Sequence, residues 1–205
     1  MAFEVNVFPL FPSTIYTVRL NNSFNKEIDR FNNTAYDVNV SGVLISKEKR
    51  ILDKIPKVKK GLLDQFKSIV KDNIKCKNDF IISTSWITKT EKGSYIQSHS
   101  HKNSFYSGIY YYNEYDAQSG MVEFETPLWN HSDFYLYPKE FNLLNMTSFK
   151  LKPQSNLLVF FPSYLQHQVS RHNDNKSRYS LSFNIIPIGK YGKDDSFYNT
   201  SWVNG

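Results

Sequence analysis

The sequence predicts a mainly β fold with helices, an α+β protein in which a double-stranded β-helix, or jelly roll, is backed by N-terminal helices. Aromatic residues make up 16% of the 205 residues, and that proportion favours strands around a packed β core. The strongest helical periodicity lies in the front part of the chain. A series of short strand-like segments follows it, so the helices are expected to pack on one face of the sheets.

The front part of the chain supplies the predicted helices. Residues 5–20 are predicted to form one or two short strands, and a short amphipathic helix is expected around Ile28. Residues 46–76 are the strongest helical segment, with Pro56 at its start or at a kink. Apolar residues recur there with a period near 3.6, and lysines lie between them; they are Val58, Leu62, Phe66, Ile69, Val70 and Ile74.

From residue 79 onward the pattern changes to short segments rich in β-branched and aromatic residues, separated by Asn, Asp, Gly and Pro. The predicted strands cover residues 80–88, 94–98, 104–112, 121–125, 148–152, 157–161, 166–170 and 179–188. We expect one domain, with a front at 1–78, a jelly-roll core at 79–188 and a tail at 189–205. The segment 127–145 is predicted to be a surface loop that covers a site or binds substrate.

Charge and cysteine content limit the function classes. The net charge is +6, but the basic residues form one clear cluster, from Lys54 to Lys60, which is typical of the solvated face of a helix. Nucleic-acid binding is therefore unsupported, although not excluded. With Cys76 as the single cysteine, no signal peptide and no apolar run of membrane length, we expect a cytoplasmic protein, in the host cytoplasm if the source is viral. Oligomeric state is not predicted.

The most informative motif is His99-Ser100-His101. Residues i and i+2 of a strand point to the same side, so both rings can face the mouth of a barrel. A third ligand from a distant strand would complete a facial set of three and leave coordination positions open. The alternative is a pair of solvated loop histidines.

Two further elements complete the predicted site. His167 follows the buried-strand pattern that ends at Phe161, and it is the candidate third metal ligand. Arg178 and Ser180 share one face of the last long strand, where a guanidinium can hold a carboxylate through two parallel hydrogen bonds and a hydroxyl can add a third. Alone, His167 would more often be structural and Arg178 a surface ion pair, but the combination favours a site for a metal and an acidic ligand.

These motifs together resemble the Fe(II)/2-oxoglutarate-dependent dioxygenase superfamily. The similarity covers roughly residues 80–188. Each short motif is weak alone, but the order and spacing of the whole set are specific. The matching pieces are His99-Ser100-His101, the segments 107–112, 119–124 and 160–163, His167, and the segment 178–184.

The resemblance implies Fe(II) and 2-oxoglutarate as cofactors, with dioxygen as the second small partner. His99, His101 and His167 would be the metal ligands, and Arg178 with Ser180 would hold the far carboxylate of 2-oxoglutarate. Tyr110 and Tyr112 share one side of their strand, and we expect that side to be either the cosubstrate pocket or the core; Asn184 is a weaker candidate for the same pocket. Hydroxylation with release of succinate and carbon dioxide is the expected reaction, on a substrate that the sequence does not identify.

One departure from the family pattern concerns the ligand set. The superfamily usually has His-x-Asp or His-x-Glu, whereas His101 stands at the second position here. Either three imidazoles bind the metal, or one of His99 and His101 binds and another group completes the shell. His131-Ser132-Asp133 does fit His-x-Asp, but it lies in the expected loop and only 36 residues before His167, an interval too short for the intervening strands.

Two other functions remain open at this stage. The all-imidazole set is also compatible with a cupin-like three-histidine dioxygenase or isomerase that needs no 2-oxoglutarate, although the Arg-x-Ser pattern disfavours it. A non-catalytic jelly-roll binding module is the third hypothesis, and it predicts no stoichiometric metal.

Overall fold

The computed structural model describes residues 11–21, 23–127 and 137–200. Its two α-helices are α1 (Asn25–Asp29) and α2 (Pro56–Ile69). A 3₁₀ turn at Ile51–Lys54 precedes α2, and a π-helical turn at Val70–Ile74 continues it. Pro56 occupies the first turn of α2 as predicted, because proline lacks the N–H that this position leaves unbonded.

The strands account for most of the regular structure. In chain order they are β1 (Tyr16–Arg19), β2 (Tyr36–Val38), β3 (Leu44–Ser46), β4 (Asp79–Thr90), β5 (Ile96–His99), β6 (Tyr106–Tyr111), β7 (Val122–Glu125), β8 (Ser148–Leu151), β9 (Leu157–Pro162), β10 (His167–Val169), β11 (Arg178–Ile188), β12 (Lys190–Tyr191) and β13 (Tyr198–Asn199). All eight strands predicted after residue 79 are present, with ends that differ by at most two residues. The short strands β2, β3, β12 and β13 were not predicted.

Two antiparallel sheets form the jelly roll, and a separate two-stranded ribbon pairs β12 with β13. The larger sheet has the order β1-β9-β6-β11-β4-β3-β2, and the smaller has the order β5-β10-β7-β8. Strands adjacent in space are mostly distant in sequence, as the jelly-roll topology requires. The predicted fold class is confirmed; the division into a front, a core and a tail stays a prediction.

The larger sheet is buried on both faces and separates two apolar clusters. On one face α2 and its flanking turns pack over Tyr106, Phe160 and Phe183. The other face meets the smaller sheet through a cluster that includes Tyr111 and Phe161. Successive residues of β9 therefore alternate between the helix-facing and the sheet-facing core, so this strand is a nearly continuous apolar run, whereas β11 alternates apolar residues on the helix side with polar residues that line a cavity.

A β-bulge in β4 changes which residues of that strand face the space between the sheets. Ile82 pairs with Ile185 and Thr84 pairs with Asn184, so Ser83 has no partner residue in β11. Before the bulge the even-numbered Phe80 and Ile82 pack against the helices, and after it the odd-numbered Ile87 does. The extra residue thereby turns the even-numbered residues from 84 to 90 towards the space between the sheets.

The lysine cluster around α2 lies on a solvated surface and is largely paired. Lys59 contacts Asp53 at 2.6 Å, and Lys60 contacts Asp64 at 2.6 Å. Lys54 contacts Glu48 at 2.5 Å. This arrangement fits the solvated helix face that was expected. Within the described ranges, the structure holds no helix of the length and apolarity that a bilayer crossing requires.

Candidate metal and carboxylate site

Three histidines meet at one end of the smaller sheet. His99 is the last residue of β5, and His167, the first of β10, is its direct cross-strand partner. His101 lies just beyond β5, where its backbone N–H donates to the Ser163 carbonyl at 2.9 Å. One ring nitrogen from each of the three lies within 4.8 Å of the others. The predicted convergence of His99, His101 and His167 is therefore present in the structure.

Hydrogen bonds orient the rings of His99 and His167. The Nδ1 of His99 is 2.8 Å from the Gln97 carbonyl, and the Nδ1 of His167 is 2.9 Å from the Leu165 carbonyl. Because a carbonyl oxygen only accepts, each Nδ1 must carry the proton. Each Nε2 is then left with a free lone pair, which is the form in which histidine binds a metal.

A polar network orients the third ring in the same manner. The Nδ1 of His101 is 2.7 Å from the Asn184 Oδ1 and 2.8 Å from the Ser107 Oγ. The Asn184 amide in turn donates to the Thr84 Oγ1 at 3.0 Å, which directs its carbonyl oxygen at the imidazole. Ser107 also contacts the Ser163 hydroxyl at 2.8 Å. His101 therefore donates through Nδ1 and offers Nε2, like the other two.

Burial keeps two of these imidazoles uncharged. The pKa of His167 is lowered to about 3, first by desolvation and then by the nearby His99. The pKa of His101 is lowered by desolvation, which outweighs its bond to Asn184. Phe161 packs against His167 with ring centroids 4.7 Å apart. Neutral imidazoles in a half-apolar wall can bind a divalent ion without first losing a proton.

The histidines open into a cavity of about 610 Å³ between the two sheets. Arg178 and Ser180 from β11 line the same cavity, together with Trp86 from the part of β4 that follows the bulge. Arg178 and Ser180 share a face of their strand as expected, and both are buried. The predicted metal ligands and the predicted carboxylate-binding residues thus line one cavity.

Arg178 is 2% exposed, and its guanidinium is incompletely bonded by the protein. Its Nη2 donates to the Tyr111 hydroxyl at 3.5 Å, and the guanidinium lies 5.3 Å from the centre of the Tyr111 ring. Nε and Nη1 are buried without a protein partner, as is the hydroxyl of Thr90, the cross-strand neighbour of Arg178. Buried donors of a charged group are rarely left unbonded, so this end of the cavity fits an anionic ligand.

Tyr110 and Tyr112 do not face this cavity, which corrects their expected role at the cosubstrate. The Tyr110 hydroxyl donates to Asn25 at 3.0 Å, and the Tyr112 hydroxyl donates to Asn32 at 2.7 Å, both on the helix side of the larger sheet. Tyr110 pairs with Leu181, whose side chain points away from that of Arg178. The sequence correctly predicted that Tyr110 and Tyr112 share one side of their strand, but that side faces the helices and not the cavity. The phenol beside Arg178 belongs to Tyr111.

Several lining residues were not predicted. The turn between β2 and β3 contributes Val40, and two lysines, Lys49 and Lys102, also line the cavity. The inward alternation of Thr84 and Trp86 depends on the bulge and was not visible in the sequence. His131 and Asp133 of the rival His-x-Asp pair, with part of the expected loop, lie outside the described residues.

Comparison with known proteins identifies a family and a set of similar folds. Residues 84–184 match the family described as "Putative 2OG-Fe(II) oxygenase". A Pseudomonas putida prolyl-4-hydroxylase superposes with a TM-score of 0.56 at 14% identity, over 84% of this chain and 92% of that chain. HygX from Streptomyces hygroscopicus, solved with nickel and 2-oxoglutarate, superposes with a TM-score of 0.58 at 12% identity, over 94% and 90%.

A third similar structure is that of an enzyme described as an epimerase and not as a hydroxylase. SnoN, an α-ketoglutarate-dependent epimerase from nogalamycin biosynthesis, superposes with a TM-score of 0.62 at 8% identity, over 88% of this chain and 82% of that chain. No curated protein sequence matches the chain. At these identities the superpositions establish the fold, and that fold supports more than one reaction.

Proposed function

We propose that the protein hydroxylates a C–H bond of its substrate as a 2OG-Fe(II) oxygenase, because residues 84–184 match the model of that family. Dioxygen supplies one oxygen atom to the substrate and one to 2-oxoglutarate, which leaves as succinate and carbon dioxide. Fe(II) and 2-oxoglutarate are the cofactors. The observation that carries the proposal is the incompletely bonded guanidinium of Arg178 in the same cavity as three oriented histidines.

His99, His101 and His167 are the proposed Fe(II) ligands. The Nδ1 of each donates to an oxygen of the protein, which leaves Nε2 as the nitrogen available to a metal, and this donor set suits Fe(II). Three protein ligands leave open positions, and an ion held there supplies the redox chemistry of dioxygen activation. The bonds at Nδ1 keep the three rings from rotating, so the ligand geometry exists before the ion binds.

Arg178 is the proposed partner of the 2-oxoglutarate carboxylate that lies away from the metal. Nη1, which has no protein partner, and the second N–H of Nη2 can donate in parallel to both of its oxygens. Tyr111 fixes the guanidinium from behind and can donate its own hydroxyl proton to the ligand. Ser180, on the same face of β11, adds a hydroxyl to this end of the cavity. The burial of these groups excludes water and strengthens each bond to an anion.

The ligand set departs from the usual carboxylate-containing one, and His101 takes the carboxylate position. Its network with Asn184 and Ser107 is built for an imidazole, which supports three nitrogen ligands over a two-ligand site. Three neutral ligands do not offset the charge of Fe(II), so the negative charges of 2-oxoglutarate must do so. We therefore expect metal and cosubstrate to bind cooperatively, each strengthening the other.

Succinate formation tests the proposal. Protein supplied with Fe(II), 2-oxoglutarate and dioxygen should convert 2-oxoglutarate to succinate, slowly without a primary substrate and faster with one. The cupin-like three-histidine enzyme, which the all-imidazole set keeps as the second candidate, predicts bound metal but no succinate. If the purified protein is supplied with metal and does not retain a stoichiometric amount, that result would contradict both enzyme hypotheses and support a non-catalytic binding module.

A further inference from the structure

The outer part of the cavity differs in chemistry from the part that holds the histidines. Val40, Ile45, Trp86 and Ile96 give it apolar walls, and the ammonium-bearing side chains of Lys49 and Lys102 line it as well. Among the described residues that line the cavity, none is acidic. A molecule that fills this space meets apolar surface and positive charge together.

The two lysines differ from other lysines near the cavity because no acidic side chain of the described residues pairs with them. Neighbouring Lys47 contacts Asp37 at 3.5 Å, and Lys54 contacts Glu48 at 2.5 Å. The Lys49 ammonium instead donates to the Ser46 carbonyl at 2.5 Å, and Lys102 is exposed. Both ammonium groups therefore keep donors that a ligand can use.

The cofactors do not remove this positive charge. The two charges of Fe(II) offset the two of 2-oxoglutarate, and the three histidines are neutral ligands. Arg178 is then left as a net positive charge, to which Lys49 and Lys102 add theirs. A cavity with an uncompensated excess of one sign concentrates ligands of the opposite sign.

The apolar wall is held over the cavity by a well-bonded turn. The Asn39 side chain accepts from the backbone N–H groups of Ser41 at 3.0 Å and Val43 at 2.9 Å. Gly42 has a φ of +78°, which closes the turn, and its carbonyl accepts from the Ser94 hydroxyl at 3.2 Å. Val40 at the tip is 91% exposed and lines the cavity, so its side chain is open to contact by a ligand there.

From these observations, and resting on the function proposed above, we propose that the primary substrate is a small organic anion with an apolar body. Its carboxylate or phosphate is bound by Lys49 and Lys102, and its apolar part packs against Val40 and Trp86. The cavity of about 610 Å³ must hold both 2-oxoglutarate and the substrate, a volume within the range of about 300–1,000 Å³ that small-molecule sites occupy. Two lysines beside an apolar wall do not form the basic groove that a nucleic acid needs.

Matched acids and amides test this inference on protein loaded with Ni(II) and 2-oxoglutarate, which prevents turnover. The probes are hexanoate, 3-phenylpropionate, 4-phenylbutyrate and indole-3-propionate with their neutral amides, and phenyl phosphate distinguishes phosphate from carboxylate. Calorimetric titration measures their affinities for the parent chain and for the double variant Lys49→Gln/Lys102→Gln. The control is Lys71→Gln/Lys190→Gln, which removes the same charge from positions that do not line the cavity.

At least one acid should bind the parent chain more tightly than its amide does. The affinity for that acid should fall by about tenfold in Lys49→Gln/Lys102→Gln, as the loss of two partly exposed ion pairs predicts. It should change little in the control Lys71→Gln/Lys190→Gln. Added salt should weaken the acid and spare the amide. Equal binding of every acid and amide, no binding by any acid, or equal loss in both variants would overturn the inference. Tighter binding of a short single-stranded oligonucleotide than of any small acid would overturn it too.

Failure of the proposed function gives a different result. In that case Ni(II) or 2-oxoglutarate does not bind the parent chain, which the loading step itself measures. The anion titrations are repeated on metal-free protein, where the loss specific to the cavity variant still decides whether Lys49 and Lys102 bind the anion.

Discussion

The histidine cluster and the Arg178 region lie in one cavity but differ in how completely the protein bonds them. Every histidine has its Nδ1 bonded to an oxygen of the chain, so only the nitrogen that faces the others remains free. At Arg178 two of the three guanidinium nitrogens have no protein partner. The first region is organised before its ligand arrives, whereas the second carries an uncompensated charge until an anion binds.

This difference predicts that the two regions fail in different ways when they are altered. Removing a histidine should abolish metal binding with a modest effect on folding, since the bonds at Nδ1 contribute little net energy. Removing the charge of Arg178 should abolish cosubstrate binding and relieve an energetic cost of the ligand-free fold. The same cavity therefore contains one region organised in advance and one that depends on its ligand.

The largest expected effect is that of His167→Ala on the metal. Loss of a direct ligand should lower Fe(II) or Ni(II) affinity by more than the roughly 10- to 100-fold that follows loss of a ligand's hydrogen-bond partner. Equilibrium dialysis with metal analysis measures it. His131→Ala is the control, because it removes the rival His-x-Asp pair and should leave metal binding intact; the reverse outcome would make that pair the true metal site.

The next effect is expected at Arg178. Arg178→Met should raise the 2-oxoglutarate concentration needed for binding steeply, while metal content stays near that of the parent chain. The ligand-free variant should also be more stable, by about 1–3 kcal/mol, because a buried charge without full bonding is replaced by an apolar side chain of similar length. Urea unfolding and 2-oxoglutarate titration measure the two quantities.

Arg171→Met is a matched control, since Arg171 is exposed and does not line the cavity. Arg178→Ala should show the same loss of cosubstrate binding. Unchanged 2-oxoglutarate affinity in both Arg178 variants would remove the assigned role, and a destabilised Arg178→Met protein would show that its guanidinium is better bonded than the contacts suggest.

A smaller effect is expected from Asn184→Ala, which removes a hydrogen-bond partner of His101. Metal affinity should fall by roughly 10- to 100-fold, because the ring is no longer held with Nε2 towards the ion. Ser182→Ala, on the same face of β11 and without a bond to a histidine among the described contacts, serves as the control. Equal metal affinities in the two variants would mean that Ser107 alone orients His101.

The smallest effects distinguish the two tyrosines whose roles the structure exchanged. Tyr111→Phe should weaken 2-oxoglutarate binding by about tenfold or less, as expected for one lost hydrogen bond of roughly 1 kcal/mol. Tyr110→Phe should leave that affinity unchanged and lower the free energy of unfolding by about 1 kcal/mol, because its hydroxyl bonds Asn25 and Asn156 on the helix side. A reversed pattern would restore the original assignment.

Much of the fold was predictable because hydrophobic periodicity determines it directly. The 3.6-residue period of α2, the apolar run of β9 and the alternating pattern of β11 identify elements that are buried on at least one side. The short strands β2 and β3 were missed because Ser46 is their only fully buried residue and the polar turn from Asn39 to Gly42 dominates the pattern. Propensity rules carry little information about such edge elements.

Within the candidate site, the types of the residues were more informative than the strand face to which each residue was assigned. Histidines at spacing i and i+2 and an Arg-x-Ser pair have few alternative uses in combination, so their convergence could be expected. Tyr110, Tyr111 and Tyr112 are all fully buried, so composition could not reveal which face each occupies. That information lies in the pairing of Tyr110 with Leu181, a long-range contact that the local pattern does not contain.

The bulge at Ser83 divides β4 into two parts that face different regions of the molecule, although the strand itself is continuous. Its first part, from Asp79, packs against the helices through Phe80 and Ile82, and its second part, to Thr90, contributes Thr84, Trp86 and Thr88 to the cavity. Substitutions among Thr84, Trp86 and Thr88 can therefore reshape substrate recognition without disturbing the packing of Phe80 and Ile82. If the bulge were lost without loss of a residue, Ser83 would pair with Asn184, and Ser85, Ile87 and Lys89 would face the cavity in place of the threonines and Trp86, so the chemistry of this cavity depends on one unpaired residue.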